Sequence, residues 1–548
     1  MEKPASKDYW CFELGIRSSF RIPSPEVIEE WLGKTFLGYE HSTVLLFACL
    51  MLYMTIFAHL TILKHYAFKT RAWDLGIFTQ SLWTTLNANR FLYHTCEIFL
   101  NPTGSFFGVH FSPILFLVLP FYWLAQTPET LLLLQSFVIA LAAVPLYRLA
   151  RAKAGSRCAG LTFSLAYLLY PGIHAVNWYD FHVQAFLPLF LFCVIYYATK
   201  KNWPRYFLFM LLSLMCDEHA AIITIFVGIY IAWTHRTAIL SAIKRKDLVA
   251  KELFVPSTTM IVGSAWYWFT TWQRNVFFPI RPEAMSTFLG SSNFSILGAR
   301  SPLEIPLLVV LRPWNAAQAL AYNGPLKLLY IFLIFGPLAF LSFKRPSALI
   351  PTVPWFTFAL MSQTLDHHSI GNQYEAYTVA FVFSAAVFAV GETFQRASSL
   401  KGIYPSLRRI ALCTLLLFLV SSPLGIVVNL MFSNYSSVYI GRHEMEISDA
   451  LKLVPQDASI LTQDNLFPHV SHRVDAYVVP SRFFYTDIRN IVIDFLNQTI
   501  DRVDYILVDS ETDPFAANLT LSFLNTKQQF ILIACKDNDT IRLYKRQA

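Results

Sequence analysis

Residues Ser42–Leu63 read STVLLFACLMLYMTIFAHLTIL, a run with no Asp, Glu, Lys or Arg. As a helix rising about 1.5 Å per residue, it covers about 30 Å, the thickness of a bilayer's hydrocarbon core. Working outward, apolar blocks recur near 130–149, 159–178, 184–199, 205–216, 220–234, 254–273, 326–343, 347–363, 376–393 and 410–432. The pattern predicts a mainly α, polytopic membrane protein with about eleven transmembrane helices. Composition points the same way. The chain is 55% hydrophobic and 14% charged, its mean hydropathy is +0.45, and soluble domains carry about 25% charged residues. Its cysteines form no C-x-x-C pair, so neither a disulfide framework nor a zinc site is indicated.

Orientation follows from charge. The clusters Arg148/Arg151/Lys153/Arg157, Lys200/Lys201/Arg205, Arg236/Lys244/Arg245/Lys246, Lys344/Arg345 and Arg396/Lys401/Arg408/Arg409 fall on one side of this alternation, together with residues 1–41. Excess Lys and Arg mark the cytoplasmic side, so the net charge of +8 records topology and not a nucleic-acid surface. The sequons at Asn293, Asn434, Asn497, Asn518 and Asn538 fall on the opposite side. The reading requires Phe111–Ala125, interrupted by Pro113 and Pro120, to lie in the interface instead of crossing. The organisation expected is a cytoplasmic segment 1–41, a transmembrane region 42–432 with a first outer loop at 64–129, and an extracytoplasmic α/β domain at 433–548. In that last region short apolar runs at Ser459–Gln463, Ala476–Val479, Tyr505–Asp509 and Phe530–Cys535 alternate with helical patterns near 443–454, 487–499 and 514–526. No glycine-rich phosphate loop is present.

Ionisable groups near a membrane are costly and tend to be functional. Here they gather on the outer side. Asp74 and Gln80 lie in the first loop, followed by His110. Asp180 and His182 follow the third span, and Asp217-Glu218-His219 end the fifth. Asp366, His367, His368, Asn372, Gln373 and Tyr374 follow the ninth. Asp180 or Glu218 alone could equally cap a helix, and His174 and His235 read as structural. Asp74 is harder to dismiss. Bracketed by Trp73, Leu75, Ile77 and Phe78, its carboxylate needs a partner or a wet cavity, and beside histidines it could act as a general base. No cofactor is required by the pattern. A divalent cation on these Asp/His groups stays open, though their spacing matches no metal signature.

The strings WDLGIFTQSLW (73–83), GVHFSPIL (108–115), YPGIHAVNWYDFH (170–182) and DNLFPHVSHR (464–473) resemble a family of prokaryotic membrane proteins catalogued as a domain of unknown function. The likeness runs from about Ser42 to the chain's end. One departure is Asp217-Glu218-His219, where that pattern has a basic residue before Glu-Asp. The family in turn resembles the GT-C glycosyltransferases. That resemblance implies transfer of a sugar from a polyprenyl-phosphate carrier to an acceptor on the outer face. It makes Asp74 the candidate base, Phe111–Ala125 an interfacial helix, and Arg281, Arg300 or Arg312 the partner of the carrier phosphate. The partners implied are the lipid bilayer and a lipid-linked sugar donor. The alternatives are a transporter or flippase for a lipid-linked or anionic solute, or a non-enzymatic envelope protein.

Overall fold

The computed structural model describes residues 24–245, 251–288, 290–425, 438–527 and 529–547. Residues 1–23, Lys246, the end of the last expected span (426–432) and the Asn434 sequon lie outside the described residues.

The opening run folds as the helix His41–Tyr66. Its buried positions, Ser42, Leu46, Tyr53, Phe57, Thr61 and His65, form one stripe at helical spacing. Leu45, Phe47, Met51, Leu52 and Ile56 on the other faces are exposed. Large apolar side chains left outside along a long helix suit lipid, not water. Pro128–Ala154, Val379–Ala397 and Leu400–Ser421 also have the length and hydropathy to cross, and the count among the described residues reaches seven if each of three bent helix pairs is one span. The expected span 254–273 lies within one 27-residue helix, Lys251–Phe277, and the remaining apolar blocks form shorter pieces. Pro171 breaks the third expected span into Arg157–Leu168 and Pro171–Trp178, bent by 45°, because proline cannot donate to the helical ladder. The Phe111–Ala125 block contains the ten-residue helix Leu115–Leu124 with Pro120 inside it. At about 15 Å it is too short to cross. Val379–Ala397 is the central helix, buried almost all round from Val379 to Gly391, as its all-apolar surface requires.

Residues 460–546 form a five-stranded sheet: β1 Ile460–Thr462, β2 Ala476–Val478, β3 Tyr505–Asp509, β4 Phe530–Lys536 and β5 Ile541–Arg546. The order is β2-β1-β3-β5-β4. β1 is parallel to both its neighbours, and β5 is antiparallel to both of its own. Four strands and the helices Arg442–Leu451, Arg489–Ile500 and Pro514–Lys527 coincide with the expected elements. The fifth strand, β5, was not expected. Only Ile541 and Leu543 of IRLYKR are buried, so it carries the alternation of a half-covered strand and not a continuous apolar run. The chain leaves β1 to one side for β2 and returns to the other for β3. The carboxyl ends of β1 and β3 therefore flank a topological switch point, where open α/β sheets bind ligands.

Candidate active site

Asp74 sits in a wide helical turn, Ala72–Gly76, closed by an i→i+5 bond from Gly76 N to Arg71 O at 3.0 Å. Such single wide turns recur at functional sites because they swing one side chain out of helical register. The carboxylate is 8% exposed, and its Oδ1 lies 3.1 Å from His182 Nε2. The His182 ring, 7% exposed, stands 5.2 Å from Tyr179 and 5.9 Å from Phe78, centroid to centroid. The Asp74 charge, followed by burial, holds the Tyr179 phenol far above its ordinary pKa.

The DNLFPHVSHR segment clamps this turn. Asp464 Oδ1 accepts Ala72 N at 2.8 Å and Oδ2 accepts the Arg71 guanidinium at 2.6 Å. Phe467 lies over Gly76 so closely that a Cβ there would meet its Cδ1 at 2.6 Å, so only glycine fits under the ring. Ser471 bonds Thr79 at 2.8 Å, His472 bonds the Tyr122 hydroxyl at 2.8 Å, and His469 stacks on His65 at 4.1 Å.

Asp180, His182 and Gln184 alternate along one segment and reach three separate partners. Asp180 meets Lys64 Nζ at 2.7 Å and accepts Arg71 N at 2.9 Å. His182 meets Asp74, and Gln184 Nε2 donates to Asp217 Oδ2 at 2.5 Å. Asp180 has φ of +140°, a backbone state costing about 1–3 kcal/mol for a non-glycine residue. The Lys64 and Arg71 contacts hold it there. Burial, opposed by Lys64, pushes its carboxyl up to about 6.

A second group lies beyond the Phe78–Phe106 pair, whose rings are 4.9 Å apart. His110 Nδ1 is 3.2 Å from Glu218 Oε1, and Phe111 N donates to Glu218 Oε2 at 3.1 Å. Asp217 accepts the Tyr377 hydroxyl at 2.9 Å and His219 Nδ1 at 2.6 Å. Burial disfavours charge on His219, but Asp217 overcomes it and raises the imidazole to about 9. His110, Asp217 and Glu218 each offer a ligand atom within 4.8 Å of the others, so these three residues fit a divalent cation. Nearby, both nitrogens of the fully buried His94 and one Glu97 oxygen lack a hydrogen-bond partner. Burial pushes Glu97 up to about 7.

The remaining expected residues divide. Gln80 is fully buried and structural in its contacts: it donates to Arg473 O and Ala476 O, and accepts Thr95 N at 2.8 Å. Tyr374 stacks on Trp355 at 4.9 Å, and its phenol is raised by burial and then by Asp366 and Asp74. His368 is buried with neither ring nitrogen hydrogen-bonded. Arg281, Arg300 and Arg312 are exposed. Arg312 donates to Leu297 O at 3.4 Å, and among the described residues none of the three side chains has a polar contact with Asp74, His182 or His110. His174 is structural, as expected, bonded to Ser422 and Leu168 O. Sequence reasoning missed Lys64, whose signal was a cation ending the first apolar run. It also missed Glu375, a fully buried carboxyl with both oxygens unpartnered. A cavity of about 1180 Å³ is lined by residues that include Tyr66, Trp83, Met445, His469 and His472, and neither Asp74 nor His182 lines it.

The sequence model described as "Predicted membrane protein (DUF2079)" matches residues 64–541. The chain belongs to this family. Its match spans every element of the Asp74 site from Lys64 to the Asp464 clamp. No curated protein matches the chain. Among solved structures, ArnT from Cupriavidus metallidurans in the apo state is similar at a TM-score of 0.45 and 14% identity, covering 89% of this chain and 97% of that one.

Proposed function

We propose that the protein is a GT-C-type membrane glycosyltransferase that moves a sugar from a polyprenyl-phosphate-linked donor to an acceptor on the outer face. The observation that carries this reading is the Asp74–His182 pair, recessed yet not sealed, at a turn gripped by the C-terminal sheet. In the proposed step the acceptor hydroxyl attacks the sugar's anomeric carbon as the bond from that carbon to the phosphate oxygen breaks. The hydroxyl proton passes to Asp74, and polyprenyl phosphate leaves as the anion. His182 positions the carboxylate. His110 and Glu218 would orient the sugar, and Tyr374 and His368 would line its approach. An arginine among Arg281, Arg300 and Arg312 would meet the phosphate once the donor is bound.

The accompanying topology has eleven spans, a cytoplasmic N-terminus, and residues 433–548 as an extracytoplasmic domain. Basic clusters on one side and sequons on the other support it. The deciding experiment measures transfer of labelled sugar from polyprenyl-phosphate donors by the reconstituted protein. Asp74→Asn should lower the rate by about 10²–10⁴-fold. Equal transfer by parent and variant would remove Asp74 from the chemistry.

A further inference from the structure

The carboxyl edge of the sheet carries a separate constellation. His443, at the start of helix Arg442–Leu451, turns its ring toward the end of β3. Its Nε2 lies 2.9 Å from Asp509 Oδ2. Its Nδ1 lies 2.5 Å from Asp537 Oδ2 and 3.5 Å from Glu511 Oε2. Asp509 is the last residue of β3 and fully buried. It is fixed further by Thr512 Oγ1 at 2.6 Å and Glu511 N at 3.0 Å. Asp537 comes from the turn joining β4 to β5, where Thr540 N closes on Asp537 O at 3.1 Å.

We propose that His443 Nδ1, Glu511 and Asp537 form a divalent-cation site for Zn²⁺ or Mn²⁺, with Asp509 as its positioning residue. Three independent features converge on it. The three ligand atoms lie within 4.8 Å of one another, the span of a single coordination shell. Asp509, on Nε2, is placed to hold the tautomer whose Nδ1 faces Asp537 and Glu511, the arrangement that commonly orients a metal-bound histidine; an ion there takes the place of the proton now shared between Nδ1 and Asp537. Asp509 also stands at the carboxyl end of β3, which borders the switch point, and its partner Thr512 is bonded to Gln463 and Asn465 of β1's exit.

Charge adds to this. Three carboxylates contact one imidazole, and a fourth, Glu446, accepts Asp537 N at 2.6 Å. Among the described residues the other cation in contact is Arg442, which pairs outward with Glu446 at 2.6 Å. A nitrogen ligand favours a borderline transition ion over Ca²⁺ or Mg²⁺, which prefer oxygen alone. The Glu511 side chain is 60% exposed, which gives an ion a path in and leaves room for water in the open coordination positions.

The inference is independent of the glycosyltransferase reading. The full-length protein, purified in detergent and stripped with EDTA, is titrated calorimetrically with ZnCl₂, MnCl₂ and CaCl₂. In a His110→Ala background, which removes the other cluster that fits a cation and serves as the parent for the variants below, one equivalent of Zn²⁺ or Mn²⁺ should bind. Glu511→Gln, whose exposed side chain leaves folding intact, should weaken binding at least about tenfold, and Asp509→Asn by about 10–100-fold. Asp501→Asn, outside the cluster, and Asp74→Asn should bind like the parent. Absence of saturable Zn²⁺ or Mn²⁺ binding would overturn the site. So would parent-like binding by Glu511→Gln and Asp509→Asn, or tighter binding of Ca²⁺ that His443→Gln leaves untouched.

Discussion

Asp464 holds Arg71 at both ends of one carboxylate's reach: Oδ2 sits 2.6 Å from the guanidinium, and Oδ1 accepts the next backbone amide, Ala72 N, at 2.8 Å. The two halves of this contact differ in weight. The Arg71 side chain is 63% exposed, so its ion pair contributes little, up to about 1 kcal/mol. The hydrogen bond from the Ala72 amide to this charged, part-buried acceptor is worth about 1.5–3 kcal/mol and directly fixes the turn bearing Asp74. Asp464→Ala should therefore impair sugar transfer more than Arg71→Ala, and should speed proteolysis within 64–129. Transfer rates and digestion kinetics of the two variants give the ranking. The reverse order would place the weight on the ion pair.

The same contact shows what was legible beforehand. DNLFPHVSHR and WDLGIFTQSLW stood out as strings, and Asp74, His182, His110 and Glu218 were each singled out. That Asp74 would meet His182 while His110 met Glu218 was not legible, because pairing across about a hundred residues depends on how broken helices return. Gln80 shows the opposite limit. A polar residue beside a candidate base reads as a ligand until its bonds to Arg473 O, Ala476 O and Thr95 N are seen. Apolar runs located the helices, but the break at Pro171 split the expected span 159–178 into two pieces bent by 45°.

Gln80 accordingly carries a stability prediction and not a substrate one. Gln80→Ala takes the side-chain partner from the buried Thr95 amide and from the Arg473 carbonyl, while Ala476 O keeps the Thr95 hydroxyl, at about 1–3 kcal/mol for a buried group left unsatisfied. The melting temperature should fall while the KM for a polyprenyl-phosphate sugar stays put. A raised KM with unchanged melting would return Gln80 to the substrate.

Lys64 and Asp180 form the buried ion pair beneath the site. Lys64→Met leaves the strained Asp180 carboxylate with the Arg71 amide as its hydrogen-bond donor, and breaking one side of a buried pair costs about 3–5 kcal/mol. Asp180→Asn should cost less, since Lys64 keeps the carbonyls of Trp178 and Tyr179 at 2.8 and 3.2 Å. The double variant should be more stable than the sum of the single losses predicts. Thermal unfolding of all four proteins completes the cycle, and strict additivity would mean the two groups do not act on each other.

Glu375 makes stability depend on pH. Burial raises its carboxyl from 4.5 to about 8, and neither oxygen has a hydrogen-bond partner. Below pH 4.5 the folded and unfolded chains both hold the proton, and the group exacts no cost. As pH climbs from 4.5 to 8, the unfolded chain ionises while the folded one stays neutral, so stability falls across that window. Above 8 the loss is complete and constant. Glu375→Gln keeps the shape and removes the titration. Its melting temperature should exceed the parent's at pH 8.5, and the advantage should vanish at pH 4.5. An equal difference at both pH values would mean that Glu375 is already ionised in the folded protein, with a cation or donor supplied to it.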